Sequence, residues 1–186
     1  MPLKTKEAAV SARQIDECLL LIAQDDCNAL DKLYQLTSSA VYAYALSVLK
    51  NVYDAQDVTH DVYVKVYDSA HNYQSYGKPM AWILTIAKNL CYTKFRQQAK
   101  FCDVDETELE NQLANDDRIS AEDRLVIVQM LKTLNDSERQ IVVMHALSGL
   151  KHKDIAKTLD MPLATVLSKY NRALKKLQSV FQGEEQ

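Results

Sequence analysis

Three glycines and three prolines are all that this chain offers for interrupting regular structure across 186 residues. Average usage, about 7% glycine and 5% proline, would supply far more breakers. Few breakers mean few turns, and few turns favour long helices. β-Branched runs alternating with polar residues and closed by Asn-Gly or Gly turns are absent, so hairpins are not expected. The reading is all-α. With 47% hydrophobic residues, each half of the chain can bury an apolar core, which points to two small helical domains.

Charge divides the chain more sharply than its net −3 suggests. Residues 1–100 and 124–186 are neutral to basic, at +1 and +4. Residues 101–123 carry one arginine against nine acids, a balance of −8. A short acidic block poor in apolar residues reads as a solvated linker. The expected organisation is therefore a domain over 11–100, a linker over 101–123 and a second domain over 124–182.

In the first domain, Ser11 and Gln14 have capping-box spacing, followed by Ile15, Leu19 and Ile22 at helical intervals. A second helix is expected from about Asn28 to Leu49, with Leu30, Leu33, Tyr34, Val41, Ala45 and Leu49 as its stripe. Asp54 to Asp57 is expected to cap a third, with Val58, Val62, Tyr63 and Val66 inward and Asp57, Asp61, Lys65 and Asp68 outward. A loop with His71, Tyr73, Tyr76 and Gly77 follows. Pro79 then suits the first turn of a helix whose buried side holds Trp82, Ile83, Ile86 and Leu90. That helix ends among Lys88, Lys94, Arg96 and Lys100, near Tyr92, Phe95 and Phe101. Aromatic faces beside cations suit unstacked bases, although cations at a helix C-terminus also complement its dipole.

In the second domain, Asn135 and Glu138 have capping-box spacing and Gly149 is a stop signal. A short helix over 153–159, a turn at Asp160-Met161-Pro162 and a helix from Leu163 to about Gln178 follow. Two helices joined so tightly must cross steeply over a small residue, which Ala156 supplies. Ile155, Leu159, Met161 and Val166 form the wedge, and Val166, Tyr170, Ala173 and Leu177 the inner face of the second helix. Thr165, Ser168, Lys169, Arg172 and Lys176 share the outer face. Between Lys151 and Lys176 seven bases face two acids. This is the pattern of a helix-turn-helix that places its second helix in the major groove, with phosphates at the flanks.

Other chemistry finds little support. Cys18, Cys27, Cys91 and Cys102 show no C-x-x-C pair and the histidines no H-x-x-x-H spacing, so no metal site is expected and the cysteines read as buried free thiols. No nucleophile–base set or phosphate-binding loop is visible, so an enzyme is not expected and no cofactor is implied. The first residues lack the apolar run of a signal peptide, and no stretch reaches membrane-spanning length. A cytoplasmic protein is expected.

Two sets of motifs together resemble one family. Leu134-Asn-Asp-Ser-Glu-Arg-Gln-Ile-Val-Val-Met, Gly149-Leu-Lys-His-Lys-Asp-Ile-Ala-Lys-Thr-Leu and Leu163-Ala-Thr-Val-Leu-Ser-Lys-Tyr-Asn-Arg-Ala resemble region four of bacterial sigma factors. Asp54-Ala-Gln-Asp-Val-Thr-His-Asp-Val-Tyr-Val-Lys-Val-Tyr and Ala81-Trp-Ile-Leu-Thr-Ile-Ala-Lys-Asn-Leu resemble region two. Regions two and four joined by a linker are the layout of the extracytoplasmic-function (ECF) group of the sigma-70 family.

The resemblance implies a factor that binds core RNA polymerase, directs it to promoter DNA and helps open the duplex. Asp54, Gln56, Asp57, Asp61 and Lys65 would dock on the polymerase clamp. Tyr73, Tyr76, Lys78, Trp82, Asn89 and Arg96 would capture the melted −10 element. Thr165, Ser168, Lys169, Arg172 and Lys176 would read the −35 element, and the acidic linker would thread toward the RNA exit channel. An anti-sigma factor is an implied partner and could hold the protein at the membrane. Similar proteins usually start the recognition helix Gly-Thr-Val-Lys-Ser-Arg, where this chain has Ala164-Thr-Val-Leu-Ser-Lys. Leu167 removes a cation, and Lys169 lacks the bidentate fork of arginine. Asp160 stands where glycine is common, and aspartate tolerates the left-handed conformation. Two other readings fit the same residues: a stand-alone helix-turn-helix regulator, and a sigma-like protein that binds polymerase without selecting promoters.

Overall fold

A computed structural model describes residues 12–98, 129–130 and 132–183. Its helices are α1 (Ala12–Ile22), α2 (Cys27–Leu49), α3 (Val52–Ser69), α4 (Pro79–Gln98), α5 (Asp136–Ala146), α6 (His152–Thr158) and α7 (Leu163–Gly183), with a 3₁₀ turn at Ala70–Asn72. No strand occurs among the described residues. Ser11, Lys100, Phe101, Cys102 and the acidic segment 101–123 lie outside the described residues.

Local chemistry sets most boundaries. Asp26 caps α2 by accepting from the amides of Asn28 and Ala29. Lys50 closes α2 in the left-handed conformation (φ 53°) and donates its amide to Leu46. Asn51 then caps α3, accepting from the Asp54 amide. The expected cap at Asp54 is therefore one turn too late, because a side-chain acceptor stands directly after the Lys50 reversal. Asn135 and Glu138 form the expected reciprocal capping box of α5. Helix α5 stops at Ala146, before Gly149. The glycine acts beyond the helix, where its φ of 66° lets the Leu150 amide return to the Met144 carbonyl at 3.1 Å.

Helices α1 to α4 form one bundle and α5 to α7 a second. The inward residues of α3 are as expected, with Val58, Val62, Tyr63 and Val66 all buried. In α4 the deepest residues are Ile83, Leu84, Ala87 and Cys91, while Trp82, Ile86 and Leu90 are only partly covered. The stripe is rotated because Ala87 and Cys91 are small enough to let neighbouring helices approach closely. Cys18 and Cys91 are buried thiols, but Cys27 is exposed. It occupies the first position of α2, directly after the Asp26 cap, where a side chain has little to pack on.

The two bundles share one continuous apolar core. Every residue from Val41 to Leu49 is buried, because α1, α3 and α4 surround the first bundle's side of α2 and α5 covers the other. A helix apolar on all sides must be enclosed on all sides. Arg139 of α5, only 4% exposed, crosses this seam. It donates to the Ser47 carbonyl at 3.3 Å and to the Leu134 carbonyl at 2.6 Å. Ser47 lies in the last turn of α2, where carbonyls lack helical partners. Tyr44 donates to Gln140 at 3.4 Å, and Lys50 pairs with Asp136 at 3.0 Å.

Candidate nucleic-acid interface

The steep crossing of α6 and α7 rests on Ile155 and Val166, both fully buried, with Ala156 at the contact and Leu159 and Met161 packed alongside. Asp160 turns the chain at φ 55°. The Met161 amide returns to Ala156 at 2.9 Å, and Pro162 accepts from Thr165 and Val166. Tyr170 packs edge-on against His145 and His152, whose rings stack at 4.3 Å. The Nδ1 of His145 lies 2.8 Å from the Leu150 carbonyl. Helix α7 is thereby fixed on α5 and α6 along one side.

That fixation separates the five outer residues. Ser168 and Arg172 are exposed, and the Arg172 Nε leans back toward the Ser168 carbonyl at 3.4 Å. Lys169 donates to the Ser137 hydroxyl at 2.7 Å, and Thr165 is half-buried. Lys176 pairs with Glu138 at 2.7 Å. Burial raises the Glu138 carboxyl, but the Lys176 ammonium and the Asn135 amide outweigh it and hold its pKa below the ordinary value. Exposed along α7 as far as Lys176 are Leu163, Ala164, Leu167, Ser168, Asn171, Arg172, Lys175 and Lys176. This open face includes Ser168, Arg172 and Lys176 of the expected one, while Thr165 and Lys169 are only half-exposed. Spacing alone does not give that difference, because the packing of α7 on α5 is a long-range property.

The expected −10 residues divide similarly. Tyr73 is buried, donates its hydroxyl to Asp16 and lies at 5.0 Å from the Trp82 ring. Tyr76, Asn89 and Arg96 are exposed, Tyr76 by 77%. Lys78 pairs with Asp154 of α6, and Lys88 donates to the Thr158 carbonyl at 2.6 Å. Trp82 lines a cleft with Thr85, Lys157 and Thr158. Helix α6 thus sits on the start of α4.

On α3 the residues Asp57, Asp61 and Lys65 are exposed and Gln56 is half-buried. Asp54 is mostly covered. Lys94 reaches from α4 to Asp54 at 3.0 Å and to Asp57 at 2.8 Å. Burial disfavours that ammonium, yet its bonds to Asp57 and Asp54 leave its pKa above the ordinary value. Lys94 is therefore a strut between two helices. Sequence reasoning missed the exposed Tyr53 (65%), Val64 (62%) and Tyr67 beside these acids. Their outward positions follow from the same helical period.

Residues 33–101 match sigma-70 region 2, and residues 124–177 match sigma-70 region 4. The chain belongs to the sigma-70 family. It resembles the ECF RNA polymerase sigma factor SigK of Mycobacterium tuberculosis at 27% identity, over 89% of this chain and 92% of that protein. Its counterpart in Mycobacterium ulcerans is 25% identical over the same shares. The chain is an ECF-group member. Its fold resembles CnrH in the complex with the cytosolic domain of CnrY (TM-score 0.60, 18% identity, 94% of this chain and 98% of that one). It also resembles the sigma factor RpoE of Bartonella quintana, solved with the anti-sigma factor NepR (TM-score 0.63, 19% identity, 82% and 96%). In this sigma factor, region 2 covers most of α2 through α4 and region 4 covers α5 to most of α7. The Lys78–Asp154 pair is a contact between the two regions.

Proposed function

We propose that this sigma factor binds core RNA polymerase, directs it to promoters and helps open the DNA for initiation. The observation that carries this reading is the joint presence of regions 2 and 4 in order, with an open helix face on region 4. Polymerase docks on the outer face of α3 through Asp57, Asp61 and Lys65, with Gln56 at the edge. Lys94 holds Asp54 in place as part of the support. Tyr76, Asn89 and Arg96 are available to unstacked −10 bases, and Tyr73 holds Trp82 beneath them. Ser168 and Arg172 face the −35 element; Thr165, Lys169 and Lys176 chiefly position the helix that carries them.

This reading calls for a second arrangement. Elements centred about 25 base pairs apart lie roughly 85 Å apart at 3.4 Å per step. A folded chain of this length has a radius of gyration near 16 Å. Segment 101–123, fully extended, spans at most about 80 Å, so the linker length suits a chain whose two regions part on polymerase. An anti-sigma factor would act by holding the regions together. The protein makes and breaks no bond; it works by binding open promoter DNA better than closed. It acts in the cytoplasm, and among the described residues no helix is long and apolar enough to cross a membrane.

Runoff transcription with reconstituted holoenzyme tests this reading. Start sites that depend on the protein are expected at a defined set of promoters. Sequence-specific DNA binding by the protein alone, with no gain from core polymerase, would instead identify a stand-alone regulator. Polymerase binding without promoter selectivity would identify a sigma-like protein that does not read DNA.

A further inference from the structure

The first two turns of the recognition helix present an unusual surface for DNA. Leu163 and Leu167 are 42% and 40% exposed, one turn apart on the open face, with Ala164 between them. Neither is covered by α5 or α6. The helix has a cation near its start, Lys169, but α5 takes it through Ser137. The exposed cations of the module are Lys151 and Lys153 at the start of α6, Lys157 toward the Trp82 cleft, and Arg172, Lys175 and Lys176 further along α7. The acids of this module are the buried Asp154 and Asp160 at the turn.

An apolar centre in a module with these cations complements a groove whose walls are phosphates and whose floor carries methyl groups. In the major groove only thymine offers a methyl, and apolar side chains read it by contact. The N-terminal residues of a recognition helix are the ones that meet base edges. An apolar protein partner fits less well, since it would leave these cations desolvated and unpaired.

We propose that Leu163 and Leu167 read thymine methyl groups, so that the upstream element is selected by apolar contacts where a cation would otherwise select guanine. This inference rests on the reading of region 4 as the −35 reader.

The test uses holoenzyme assembled from the full chain and core polymerase. Promoter DNA with a randomised upstream element is selected for binding, and thymines of the enriched sequence are then replaced singly by deoxyuridine, which lacks only the methyl. Binding by the unaltered protein is expected to weaken about threefold to fivefold at one or two positions, the scale of one lost methyl contact. Holoenzyme carrying Leu167→Ala is expected to bind thymine and uracil equally at the position that Leu167 reads. Equal binding of thymine and uracil at every position by the unaltered protein overturns the proposal. So does a Leu167→Ala chain that keeps the uracil penalty but loses polymerase affinity, which would make this face a protein contact. Failure to enrich any upstream element would remove the region 4 reading itself, and the proposal with it.

Discussion

At the scale of single residues, charge and protonation give direct expectations. Leu167→Lys adds a cation on the open face of α7, so holoenzyme should bind random-sequence DNA more tightly. The log–log salt slope should steepen by about one, measured by binding over a range of salt concentrations; an unchanged slope would mean that position 167 is not turned toward DNA. His152 is a second case. Burial, and then the neighbouring His145, lower its pKa from the ordinary 6.5. The unfolded chain therefore binds this proton more readily than the folded one. Its stabilising contribution is present above the ordinary histidine range and is lost as pH falls through it toward the lowered folded value. Tyr170 offers its ring to the same cluster and no compensating negative charge. Denaturant midpoints should fall between pH 7.5 and pH 5.5, and His152→Gln should flatten that dependence; parallel curves for the two proteins would refute the assignment.

At the scale of elements, caps and crossings divide what a sequence reveals from what it hides. The Asn135–Glu138 box, the Asp160 turn and Ala156 at the α6–α7 crossing were all legible, because each is written within a few residues of where it acts. Asn135→Ala should cost about 1 kcal/mol, read by urea denaturation. The seam between α2 and α5 was not read, although the run from Val41 to Leu49 carried a signal. Its apolar residues fill more than one stripe, as a helix enclosed on all sides requires. The partner on its far side depends on contacts spanning about half the chain, such as Arg139 with Ser47. The engagement of Lys169 and Lys176 by α5 was hidden for the same reason: spacing gives a face, but not the partners that α5 brings to it. Arg139→Ala should destabilise by about 2 kcal/mol, since two buried carbonyls lose their donor. A loss below about 1 kcal/mol would show that the seam is solvated.

At the scale of the molecule, the proposed function calls for two arrangements of one chain. The free form is held by Lys78 on Asp154, Lys88 on Thr158 and the core that α2 shares with α5. Replacing Lys78 and Lys88 together by alanine removes two polar ties from α4 and the residue before it to α6. X-ray scattering should then report a larger radius of gyration, and the difference from the unaltered protein should shrink in high salt, which screens the half-exposed Lys78 side of its pair with Asp154. Identical scattering curves would mean that the apolar seam alone holds the regions together.

Lys78 and Lys88 also bear on how the factor is distributed in a cell. A chromosome offers on the order of a million or more non-specific sites to any protein with free cations. Ammonium groups engaged within the chain release fewer counterions from DNA, so each such site holds the free factor more weakly. The pool available to polymerase is then less diluted by the genome, and initiation can respond to the number of molecules released rather than to the amount of DNA present.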